Sequence, residues 1–94
     1  MSRTKVYKQE TLDIQKRYFD VMQELIEAKR FPGGLAGFCE TYGIDRRHWY
    51  SQRNNNRRGY FDVSWLLPLI KYFSVSPTWL LFGTGNTYKR KKTE

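Results

Sequence analysis

The chain has 94 residues, with 39% hydrophobic and 28% charged positions, so it holds one small domain and not two independent cores. Seventeen lysines and arginines against nine acids give a net charge of +8, which favours a polyanionic partner such as nucleic acid or an anionic surface. One cysteine, Cys39, and one histidine, His48, exclude an intrachain disulfide framework and a Cys/His zinc site. There is also no apolar run of the roughly 20 residues that a membrane helix needs, and no signal-peptide pattern in "MSRTKVYKQE".

Ile14, Tyr18, Val21, Met22, Leu25 and Ile26 recur at spacings of three and four, predicting an amphipathic helix over 11–30. Thr11 is its expected N-cap, and Lys29 and Arg30 suit its C-terminal end. "FPGG" stops it. Leu35, Phe38, Cys39 and Tyr42 predict a short second helix ended by Gly43, with Gly37 inside it at a propensity cost of about 1 kcal/mol that packing must offset. Ile44 is expected to point inward, and Asp45 to cap a third helix, about 46–54, whose inner face holds Trp49 with Gln52 or Arg53.

"NNNRRG" has no periodicity and reads as a loop. Leu66, Leu69, Ile70 and Phe73 then form a fourth stripe; with Ser64 as its cap Pro68 falls in about the first turn, and with any other start the helix is kinked at Pro68. Trp65 lies beside that stripe, placed either under the N-terminal segment or at a subunit interface. Ser76, Pro77 and Gly83 frame a fifth helix in "SPTWLLFGTG", and Trp79 is expected in the core. The expected organisation is an N-terminal arm over 1–10, a compact all-α five-helix domain over 11–85, and a flexible, disordered basic tail over 86–94 containing "KRKK".

Cys39, Gly43 and Trp49 supply, at spacings of four and six, the small residue, turn glycine and apolar anchor that two tightly crossed helices require. In this they resemble the helix-turn-helix unit of the lambda-repressor-like (Xre-type) family, whose usual residues there are alanine, glycine and isoleucine or valine. "VSPTWLLFGTG", residues 75–85, resembles that family's ending, and together the two motifs span most of 11–85. The resemblance implies a third helix in the major groove of double-stranded DNA, with Arg46, Arg47, Tyr50 and Ser51 as base-reading residues. It also implies backbone contacts from Gly34 and Leu35 at the start of the second helix and from Arg53, Asn54, Asn55, Asn56, Arg57 and Arg58 after the third. Three positions depart from the pattern: Trp49 is larger than usual, Leu35 stands where a phosphate-binding glutamine is common, and Pro68 interrupts the fourth helix.

Residues 44–61 carry five arginines against Asp45 alone, a net +4, so the positive charge is concentrated. The expectation is a cytoplasmic, repressor-like regulator, phage-like in type, that acts by occupancy as a homodimer. No cofactor, metal, membrane or small-molecule ligand is expected, and no paired carboxylates or phosphate loop point to an enzyme. Two other readings stand beside it: a protein-interaction adaptor or antitoxin-like module using the same basic aromatic face, and an RNA-binding role.

Overall fold

The computed structural model describes residues 7–89, whose named elements are all helical. Its helices are α1 (Gln9–Glu27), α2 (Gly34–Tyr42), α3 (Arg46–Asn54), α4 (Leu67–Tyr72) and α5 (Pro77–Phe82), with a 3-10 turn at Val63–Leu66 leading into α4. None of the described helices is long and apolar enough to cross a membrane.

Helix α1 starts at Gln9, before Thr11, because the Lys8 carbonyl already accepts from the Thr11 and Leu12 N–H groups. It also ends earlier than its basic residues. Lys29 adopts φ +56° beyond the last turn, and the Arg30 N–H reaches back to the Leu25 carbonyl at 3.0 Å while that of Lys29 reaches Ile26. This is a Schellman closure with lysine where glycine is usual, so Lys29 and Arg30 follow the helix.

The second helix explains its own internal glycine. A Cβ on Gly37 would stand 2.2 Å from the Pro32 carbonyl oxygen, so the "FPGG" turn can lie against α2 only if that position has no side chain. Asp62, not Ser64, caps the 3-10 turn by accepting from the Ser64 N–H at 2.8 Å. The extra turn places Pro68 in the first turn of α4, where its missing N–H removes no intrahelical bond. Helix α5 has the expected frame: Ser76 accepts from the Trp79 N–H, Pro77 opens the helix and Gly83 closes it at φ +75°.

The core divides into two aromatic groups. Tyr18, Phe19, Trp49, Phe61 and Trp65 meet edge-on or tilted between α1, α3 and the 3-10 turn, while Phe31, Phe38, Tyr42 and Phe73 meet between α2 and α4. Trp65 therefore belongs to the core, against Tyr18 and Phe61, and Trp79 is only half-buried. The start of the expected tail is also placed. Val75 and Tyr88 form an antiparallel bridge, the Ser76 N–H donates to the Thr87 carbonyl, and the Tyr88 hydroxyl donates to the Glu24 carboxylate on α1. The backbone of residues 87–89 thus pairs with 74–76, the Lys89 N–H donating to the Ser74 carbonyl, and the rest of "KRKK" lies outside the described residues.

Candidate nucleic-acid interface

The turn between α2 and α3 is built from three residues with separate tasks. Gly43, at φ +71°, ends α2 in the left-handed region, so its N–H and that of Ile44 both reach the Cys39 carbonyl. Ile44 is buried, and Asp45 starts α3 by accepting from the Arg47 N–H at 2.9 Å and the His48 N–H at 3.3 Å. The bond from the His48 N–H is the main cause that holds the Asp45 carboxyl below its ordinary value. Asp45, the segment's lone acid, is thus occupied with helix capping.

Trp49 anchors α3. It is 1% exposed, meets Phe19 edge-on at 5.1 Å, and donates its indole N–H to the Tyr18 hydroxyl at 3.0 Å. Burial pushes the Tyr18 phenol strongly up, so it stays protonated at any physiological pH. Cys39 is buried beneath the turn, and burial likewise raises its thiol.

With Trp49 and Gln52 inward and about 100° between successive residues, positions 47, 50, 51 and 54 point roughly opposite the core. Arg46, Arg47, Tyr50 and Asn54 are exposed and Ser51 is half-buried; Arg47, Tyr50 and Ser51 share the outward face, while Arg46, about 60° from Trp49 around the helix, stands exposed at its edge. Arg53 reaches that face too. Its guanidinium lies 5.0 Å from the Tyr50 ring centre and 5.6 Å from that of Trp49, a cation–π arrangement that ties Arg53 to the helix face. On the other side His48 stacks on Tyr60, with ring centres 4.1 Å apart and planes 5° from parallel.

The loop after α3 is a defined turn. The Asn55 side chain accepts from the Arg57 N–H at 3.1 Å, and its carbonyl accepts from the Arg58 N–H. Arg57 and Asn56 are exposed, while Arg58 is half-buried and its carbonyl accepts from the Tyr7 hydroxyl at 2.6 Å. Beneath the loop sits Gln52, fully buried. Its amide donates to Gln15 Oε1 at 2.8 Å and to the Asn56 carbonyl at 3.0 Å, and its oxygen accepts from the N–H groups of Tyr60 and Phe61 at 2.9 and 3.1 Å. Gln15, equally buried, adds a bond to the Asn56 carbonyl at 3.2 Å.

Sequence reasoning missed this polar centre, although one signal was present. Gln15, Tyr18, Met22 and Leu25 fall on a single three-and-four stripe, so a glutamine occupies a position where an apolar residue is normal. At the start of α2, the Leu35 side chain is buried, and the Gly34 N–H donates to the Phe31 carbonyl at 2.9 Å. Among the described residues, no three His, Cys, Asp or Glu side chains come together as a metal-binding group. Comparison of the chain with protein-family models, curated proteins and solved structures finds no match.

Proposed function

We propose that the protein is a sequence-specific double-stranded DNA-binding regulator of the lambda-repressor-like, helix-turn-helix kind. It acts in the cytoplasm by occupying its site, without catalysis, and α3 enters the major groove. The observation that carries this reading is the outward face of α3: Arg46 and Arg47 stand exposed on its first turn, with Asp45 spent on the cap. Two arginines at a helix N-terminus oppose the helix dipole, an arrangement that an anionic partner relieves. Arginine there can donate two bonds to guanine O6 and N7, worth roughly 1–3 kcal/mol of discrimination against the wrong base. Tyr50 and Ser51 complete the reading face, while Asn54, Asn55, Asn56, Arg57 and Arg58 line the duplex backbone. Arg53, held over Tyr50, serves the reading face as well as the backbone.

Homodimer formation is part of the proposal. Val63, Leu67, Leu81 and Phe82 are large apolar side chains left exposed, and they offer surface to a second copy bound at a two-fold related half-site. The test is enrichment of bound sequences from a randomised duplex pool. The reading requires a reproducible motif and its loss in the Arg46→Ala/Arg47→Ala variant; a random duplex competing equally with the selected one would leave the basic face to an acidic protein partner. Preference for single-stranded RNA at matched salt would move the assignment to RNA.

A further inference from the structure

We propose that Gln52 is a positioning residue that locks the 55–61 loop to α3, so that the loop's phosphate-binding groups and the reading face of α3 approach a duplex as one rigid surface. This rests on the DNA-binding reading above and specifies how its two parts are held in phase. Gln52 bonds to both ends of the loop: the Asn56 carbonyl at its start and the Tyr60 and Phe61 N–H groups at its close. Through Gln15 it also fastens the loop to α1, since Gln15 bonds both Gln52 and the Asn56 carbonyl. The Gln52 side chain is fully buried, and no apolar side chain of that length can supply donors and acceptors together. Asn55 shapes the intervening turn, which leaves the exposed Arg57 on the outer side of a loop pinned at both ends.

A residue that merely stabilised the fold would lower the melting temperature and leave the number of phosphate contacts unchanged. A positioning residue changes that number. Each phosphate contact contributes about 0.9 to the slope of log K against log salt concentration, so a loop that swings free removes about 1–2 from the slope. The experiment uses the full chain carrying Gln52→Met, and separately the milder Gln15→Met, which keeps the Gln52 acceptor bonds to Tyr60 and Phe61. Duplex affinity is measured across a salt series well below the melting temperature, alongside amide hydrogen exchange.

For Gln52→Met the expected result is exchange of the Tyr60 and Phe61 amides about ten- to hundredfold faster, with unchanged helix content and a shallower salt slope. Gln15→Met gives a smaller slope change with those two amides still protected. If Gln52→Met does not fold, the slope of Gln15→Met decides: an unaltered slope overturns the proposal. An unaltered slope in a folded Gln52→Met overturns it too, as does continued protection of both amides. Failure of the underlying reading looks different, because the native protein itself would then show no salt-dependent duplex binding, and loss of protection in Gln52→Met would assign Gln52 to loop fastening without a role toward DNA.

Discussion

The bond between the Trp49 indole and the Tyr18 hydroxyl joins α3 to α1 inside the core, and its two partners can be removed separately or together. Tyr18→Phe deletes the hydroxyl with little change of shape and leaves the Trp49 N–H buried without its acceptor; both residues are essentially inaccessible to solvent. An orphaned buried group of this kind costs about 1–3 kcal/mol. Trp49→Phe orphans the Tyr18 oxygen at a similar cost and adds the loss of the larger ring system against Phe19. The double variant leaves no orphan. It loses only the net value of one hydrogen bond, about 0.5–1.5 kcal/mol, together with the ring term. The double variant is therefore expected to be about 1.5–4.5 kcal/mol more stable than the sum of the single changes predicts. Urea unfolding of the four proteins measures it: with a slope of about 1 kcal/mol per molar for a small domain, the coupling corresponds to a midpoint difference of about 1.5–4.5 M. Single changes that add to within about 0.5 kcal/mol would refute the claim that this bond fixes the contact between the two helices.

Gly37→Ala should destabilise even though alanine is the better helix former by about 1 kcal/mol, because the new Cβ meets the Pro32 carbonyl at 2.2 Å; Gly59→Ala, with nothing within 4 Å and no left-handed φ, should be neutral or stabilising by about 0.4–1 kcal/mol, and thermal melts of the pair read the opposite signs. Lys29→Gly should stabilise, by up to about 1–2 kcal/mol, through relief of the left-handed backbone at φ +56°, measured by the same melts. Arg46→Ala/Arg47→Ala should abolish selective DNA binding with the melting temperature nearly unchanged, whereas Trp49→Ala should cost about 3–5 kcal/mol by chemical denaturation. Asp45 has a folded pKa below its ordinary 3.8, so its capping contribution is present above that value and is lost as pH falls through the lower, folded one; Asp45→Asn should flatten the acid side of the stability profile below about pH 4.

Much of the helical layout was legible because its signals are local. Gly43 with Asp45, and Ser76 with Pro77 and Gly83, each carry their conformational or capping reason within a few residues, and the structure uses them as expected. The caps of α1 and α4 were misread for an equally local reason: Lys8 caps through its backbone alone, and Asp62 precedes a 3-10 turn that hydrophobic spacing does not distinguish from a helix. The contacts that were not legible are polar and distant in sequence. Arg17 donates to the Leu80 and Leu81 carbonyls at the end of α5, Tyr88 reaches Glu24, and Gln15 reaches Gln52, so nothing near any one partner announces the other. On the candidate interface, exposure of Arg47 and Tyr50 followed from the inward place of Trp49, whereas Arg46 lies about 60° from Trp49 and is exposed as the first residue of α3. Which of Gln52 and Arg53 joins Trp49 did not follow, because both lie within about 60° of it and only the partners on α1 and the loop decide.

Those partners also decide how Trp49 holds α3. Trp49 and Gln52 are three residues apart on α3, and their partners Tyr18 and Gln15 are three apart on α1, in the reverse order. The two bonds form antiparallel rungs about 4.5 Å apart along each helix. Apolar contact alone tolerates sliding and rotation of one helix on another, since its energy depends on area and not direction. Two buried directional bonds do not, because a rotation of α3 by one residue would break both and take from the Trp49 indole N–H and the Gln15 amide oxygen the partners they have here. A smaller aliphatic residue at position 49 would have filled the turn without any such bond to α1. The indole thus carries a constraint beyond packing: it fixes the rotation of α3 about its axis, and with it the direction in which Arg47, Tyr50 and Ser51 face the solvent.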